Sequence, residues 1–222
     1  MRRRSPKQLA LPFPRGPGRP RGIHRDPHRT REPVPALHPV HLTLKLVESP
    51  QDSFRLPEVR RAVDGVLAAL HARRADFRVI AYSIQHNHMH LMVEADGPAS
   101  FASGVRALCI RLALRINRAL GRKGALFLER HHRRVLPTPT EVHHAYRYVL
   151  LNRQRHLAQW GHPPPREPTL DEYSSADRFP GWREAVADPR PEEPSCVVPP
   201  RTWLASVGWR KRGLLSALAV PG

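Results

Sequence analysis

Three histidines at every second position, His86, His88 and His90 in "SIQHNHMHLMVEADG", run directly into Leu91, Met92 and Val93. On a strand, His88 and His90 project to one face while Met89, Leu91 and Val93 project to the other. Imidazoles at i and i+2 have Cβ atoms about 7 Å apart, close enough to share one ion. A lone strand histidine is usually structural, but a pair opposite an unbroken apolar face points to a metal. His86 precedes the strand and is expected in a loop. A three-histidine zinc site would need it.

Two imidazoles leave a metal site incomplete, so a third ligand must come from another element. In "TPTEVHHAYRYVLLNRQRHLAQW", Thr138, Pro139 and Glu141 form a capping box with proline in the first turn, a helix start. Tyr148 and Asn152 lie one turn apart on that helix and share a face. An amide oxygen suits Mg²⁺ or Mn²⁺, with water and a substrate phosphate in the remaining positions. The Tyr148 phenol then stands beside the ion, where it can attack a phosphodiester and form a phosphotyrosine link. Tyr146 lies about 200° around the helix from Tyr148 and reads as packing.

These groups need a scaffold, and the chain supplies one. "VHLTLKLV" alternates Val40, Leu42, Leu44 and Leu46 as a half-buried strand. "LPEVRRAVDGVLAALHARR" has helical spacing with Pro57 in its first turn. "FRVIAYSI" and "HMHLMVE" are strands joined by "QHN", a hairpin. A long helix from about Phe101 to Leu120 is closed by Gly121, and residues 125–136 hold a fourth strand. Strand, helix, strand, strand, helix, strand predicts an α+β, ferredoxin-like antiparallel sheet (βαββαβ) with an added C-terminal helix carrying the tyrosine. The expected organisation is a basic, disordered arm over 1–38, a catalytic domain over 39–160 and a proline-rich extension over 161–222.

Charge narrows the partner. The 222 residues carry 37 Lys and Arg against 19 Asp and Glu, a formal net charge of +18. Arginine-rich coding explains the choice of Arg over Lys, not the shortage of acids, so a polyanion such as nucleic acid is expected. Candidate contacts are Arg19 and Arg21 in "PGRPRG", a Gly-Arg-Pro core fit for a narrow minor groove or simply for phosphates. Arg111, Arg115, Arg118 and Arg122 recur along the second helix, as a solvated face or as a backbone track. Arg130, Arg133 and Arg134 form a third cluster. Cys109 and Cys196 form no CxxC pattern, and Cys109 reads as core packing. No apolar run reaches the ~20 residues that span a bilayer, and the proline-broken start does not read as a signal peptide, so an intracellular, cytoplasmic place is expected.

With both motifs in view, "NHMHLMVE" resembles the His-hydrophobe-His signature of the HUH single-strand endonucleases. "RYVLLN" resembles the tyrosine helix of the REP-associated tyrosine transposases, a single-tyrosine branch of that superfamily. "GALFLERHHRRVL" and "LDEYSSADRF" are similar to segments flanking that helix, so the resemblance covers about Val40 to Phe179. It implies a ferredoxin-like core, a divalent metal, and cleavage and rejoining of single-stranded DNA near hairpins through a 5′-phosphotyrosine. By position it makes His88, His90 and Asn152 the metal ligands and Tyr148 the nucleophile. It also implies a nucleoid-associated monomer or homodimer. The chain departs from the family after the tyrosine, reading "NRQRHL" where Asn-Pro-Val-Arg-Ala-Gly is common.

Two other readings stand beside this one. A non-catalytic nucleic-acid-binding protein fits the charge but requires none of the His, Tyr and Asn set. A histidine-based zinc hydrolase lacks HExxH, and its nearest candidate carboxylates are Glu94 and Asp96.

Overall fold

The alternation in the first strand decides how the sheet is covered. β1 (Val40–Lys45) buries Val40, Leu42 and Leu44, and turns His41, Thr43 and Lys45 to the opposite face. The computed structural model describes residues 33–48, 53–186 and 195–220. Arg19, Arg21 and the Gly-Arg-Pro core lie outside the described residues.

β2 (Phe77–Ile84) and β3 (His88–Ala95) form the expected hairpin, and β4 (His132–Val135) pairs with the other side of β1. The sheet order is β2-β3-β1-β4 and every neighbouring pair is antiparallel. This is the ferredoxin-like α+β arrangement that the element order predicts. β2 is buried along its whole length, which requires cover on both faces.

One face is covered by α1 (Pro57–His71) and α2 (Pro98–Ala119). Val59, Val63 and Leu67 from α1 and Val105, Leu108 and Leu112 from α2 join Leu42, Met89, Leu91 and Val93 in a single core. Val34 is fully buried in the same core, so packed structure begins before Val40. Gly104 allows α2 to lie close to β2, because a Cβ there would come within 2.2 Å of the Phe77 ring.

The other face carries a second core built around α3 (Pro139–Leu150). Thr138 caps α3 as expected, accepting from the Glu141 backbone N–H at 3.2 Å. The expected single helix is interrupted at Leu151 (φ −110°, ψ 16°), and α4 (Asn152–Gln159) follows. The cause is visible in the burial. Val149, Leu150, Leu151 and Asn152 are all buried, and four successive positions cover about 300° of a straight helix. A change of direction at Leu151 turns all four inward.

The chain after Gly161 completes this second layer. Trp182, Leu204, Trp209 and Leu215 pack with Ile80, Met92, Val142, Tyr146 and Val149. Two polar anchors fix it. Arg55 donates to both carboxylate oxygens of Asp171, at 2.9 and 2.6 Å, which secures "LDEYSS" beside the free edge of β2. There Ile84 N–H donates to Tyr173 O, and Ser175 N–H to Tyr82 O, so the edge is paired rather than open. Glu94, fully buried, accepts from Arg78 Nε, Arg201 N–H, Thr202 N–H and Thr202 Oγ1, and thereby holds the start of α5 (Trp203–Ser206).

Candidate active site

The second face of the sheet is apolar at its β2 end and polar across β3 and β1. Register explains why. Lys45 lies opposite His88, and Thr43 opposite His90, so the outward residues of β1 fall beside the outward histidines of β3. His90 Nδ1 sits 3.1 Å from both His41 Nε2 and Thr43 Oγ1. His88 Nδ1 sits 2.8 Å from Asn87 Oδ1. An amide oxygen only accepts, so that contact places the His88 proton on Nδ1 and leaves Nε2 as an acceptor.

The two Nε2 atoms of His88 and His90 approach to 2.9 Å. Ligands at right angles around an ion, each about 2.1 Å from it, stand about 3 Å apart. Burial also keeps these imidazoles neutral, the form that binds metal. It pushes His90 down to about 2, His88 to about 4 and His41 to about 4. Nearby guanidinium groups, Arg155 beside His90 and Arg134 beside His41, push the same way.

No group of three or more His, Cys, Asp or Glu suited to a metal occurs among the described residues. Asn152, which the resemblance makes the third ligand, has donor chemistry suited to a divalent ion. It opens α4, is 1% exposed, and neither Oδ1 nor Nδ2 has a hydrogen-bond partner. A buried amide left unpaired costs about 1–3 kcal/mol, which an oxygen–metal bond would recover. Two neutral imidazoles and an orphaned amide oxygen are each donors that a divalent ion can use.

Tyr148 lies against this pair. Its ring centre is 4.9 Å from that of His90 and 5.7 Å from that of His41, and the Arg155 guanidinium lies 5.2 Å from it. A cavity of about 480 Å³ opens beside it, lined by His41, Arg134, Glu141, His144, Arg147 and Tyr148 among others. Tyr146 faces away. It is buried against Phe179 and Trp209, donates to Ala205 O at 3.1 Å, and burial raises its pKa well above that of an ordinary phenol.

His86 is exposed in the hairpin link and its ring lies 5.9 Å from Trp160. Glu94 and Asp96 do not face the histidines as free bases, because both are engaged by Arg78 and Glu94 also by Thr202. The arginine candidates divide between faces. Arg134 lines the Tyr148 cavity and pairs with Glu141 at 2.9 Å. Arg133, its neighbour on β4, turns to the other face and lies 5.4 Å from the Phe101 ring. Arg130 is exposed in the segment before β4. Arg111, Arg115 and Arg118 lie on α2, which packs on the face opposite Tyr148, and Arg122 lies just past its end. His41, Thr43, Arg155 and His156 are additions of the structure. The alternation of "VHLTLK" already put His41 and Thr43 on the polar face, but only strand order brings them to His90.

No family model matches this sequence, and no curated protein matches it. Among solved structures, a REP-associated tyrosine transposase bound to a REP hairpin superposes with a TM-score of 0.51. The match covers 68% of this chain and 83% of that one, at 15% sequence identity. At that identity the likeness is one of fold: a four-stranded antiparallel sheet with helices is an architecture this chain has in common with that structure.

Proposed function

We propose that this chain is a single-tyrosine DNA transposase of the REP-associated type, which cuts and rejoins single-stranded DNA through a 5′-phosphotyrosine. One observation carries the reading: Tyr148 packs on His90, whose Nε2 lies 2.9 Å from that of His88. A binding protein has no need of a phenol beside two neutral imidazoles, one buried and one half-buried. The shared fold with a transposase that binds a DNA hairpin supports the same reading.

In this reading His88, His90 and Asn152 hold Mg²⁺ or Mn²⁺. The ion, when bound, supplies charge that polarises the phosphate oxygens. Tyr148 Oη loses its proton and attacks phosphorus; the Oη–P bond forms, the P–O3′ bond breaks, and the leaving 3′ oxygen takes up a proton. Arg155 stands where it can offset charge at the phenolate and phosphate. Thr43 and His41 fix the His90 ring through Nδ1, and Asn87 fixes His88. The covalent link keeps the energy of the broken bond for rejoining.

The test is a labelled single-stranded hairpin taken from repeats around the gene, incubated with the protein and Mn²⁺. A denaturant-resistant protein–DNA band is expected, absent in Tyr148→Phe and present in Tyr146→Phe. Cleavage by Tyr148→Phe without any covalent species would overturn the mechanism in favour of metal-activated water.

A further inference from the structure

A line of rings leads from Tyr148 to the surface. Tyr148 lies 4.9 Å from His90, His90 4.6 Å from His88, and His88 6.4 Å from His156 on α4. His156 then stacks on Trp160 at 6.0 Å with an interplanar angle of 27°. There the line meets solvent. Trp160 caps α4 and is 57% exposed, and Gly161 (φ 83°) turns the chain away after it. Two cationic or titratable neighbours frame the indole: the Arg153 guanidinium at 5.8 Å and the His86 ring at 5.9 Å.

Elsewhere the chain puts its indoles to structural use. Trp182 and Trp209 are buried in the second core. Trp203 is exposed too, but it sits on α5 near Glu94, at the end of β3 remote from His88, with Lys211 over its ring. Only Trp160 joins an exposed indole face to the histidine site through a continuous series of ring contacts among the described residues. An indole backed by an imidazole and flanked by a guanidinium suits an unpaired nucleotide. The base stacks on the ring and the phosphate meets the cation.

We propose that Trp160, backed by His156 and flanked by Arg153, is a stacking platform for an unpaired base of the DNA strand held at Tyr148. This rests on the single-strand reading above, and it adds where the strand leaves the site. The platform sets the path of the strand over the β2–β3 turn and past α4, within a few nucleotides of the reacting phosphate. Stacking depends on a π-face rather than on a hydrogen-bond code, so any base is accepted.

The test is binding of short labelled single strands, each carrying one abasic position moved along its length, to the full chain. For the wild type, one position should matter, with an affinity loss of about tenfold. Trp160→Ala should lose about tenfold on the intact strand and nothing more when that position is abasic, while Trp160→Phe keeps most of the affinity. Trp203→Ala should bind as the wild type does, and thermal unfolding of Trp160→Ala should match the wild type. Equal affinity of Trp160→Ala and wild type on every strand overturns the platform. So does a loss that simply adds to the abasic effect at every position. The covalent band at Tyr148 is scored separately, so a stacking effect without that band removes the transposase reading and keeps the platform. The band without a stacking effect does the reverse.

Discussion

The two faces of the sheet are made by the same four strands and answer to different physics. Toward α1 and α2 the alternating residues are Val40, Leu42, Leu44, Met89, Leu91 and Val93, all buried and all apolar. Toward α3 and α4 the intervening residues are His41, Thr43, Lys45, His88, His90 and Met92. The first face is stabilised by area removed from water and is indifferent to which methyl meets which. The second carries an apolar core around Met92 at one end, and its polar end is stabilised only where each polar atom finds a partner; Asn152 is a place where one does not. Side chains one residue apart therefore serve stability and chemistry separately.

The sharpest way to break that separation is to compare His90 with Leu91. His90→Ala is expected to abolish cleavage and the covalent band, while costing about 1 kcal/mol of stability for its hydrogen bonds to His41 and Thr43. Leu91→Ala should cost about 2–5 kcal/mol through the cavity it leaves, yet cleave normally below its lowered melting temperature. Single-turnover cleavage and thermal unfolding of the two variants give both numbers. Equal loss of both properties in both variants would mean that the faces are not independent.

Glu94 is where the faces are tied to the chain's C-terminal segment. Its carboxylate accepts four hydrogen bonds, one from Arg78, itself 5% exposed. Glu94→Gln removes the charge and leaves the guanidinium with Asp96 as its one carboxylate, beside the Ala75 carbonyl, at a cost of about 3 kcal/mol. Residues 195–220 should then become sensitive to protease before the sheet melts. A loss under about 1 kcal/mol would show that Asp96 is a sufficient partner.

A smaller effect separates the faces by pH. Burial holds His41 and His88 near 4 and His90 near 2, against 6.5 in the unfolded chain. Below pH 6.5 the unfolded chain takes up protons that the folded one refuses, so stability falls as pH drops from 6.5 toward 4 and is flat from these groups above 7. Replacing His41 with Gln should lessen that slope, whereas Leu91→Ala should shift the whole curve down without changing it. Melting temperatures across pH 4.5–7.5 decide between a parallel shift and a change of slope.

The legible part of this molecule was periodic and local. The period of two in "HMHLMVE" assigns His88 and His90 to one face and Leu91 to the other, and Thr138 with Glu141 marks where α3 begins. What stayed hidden was set by contacts distant in sequence. His41 meets His90 only because β1 pairs with β3, and Ser175 covers the β2 edge only because Arg55 holds Asp171. The turn at Leu151 follows from four consecutive buried residues, which a helical pattern cannot express. Trp209, in a single short 3-10 helix, and Leu215, in an irregular segment, belong to a core although neither lies in a stretch long enough to show a period.

The smallest effect concerns charge rather than packing. Arg111, Arg115 and Arg118 ride on α2, across the sheet from Tyr148, while Arg155 lies over the Tyr148 ring. Each phosphate contact on a single strand adds about 0.7 to the slope of log affinity against log salt. If all three α2 arginines tracked the backbone, replacing them with Gln would lower the slope by about 2. Because α2 covers the face that holds no part of the His–Tyr site, a fall below about 0.7 is expected, with cleavage at saturating protein unchanged. Arg155→Gln should change the slope by a similar small amount but slow cleavage, since its charge acts at the phenolate rather than along the strand. A slope change near 2 from the α2 set would mean that the DNA wraps the edge of the sheet and touches both faces, so that the division between them holds for packing and not for binding.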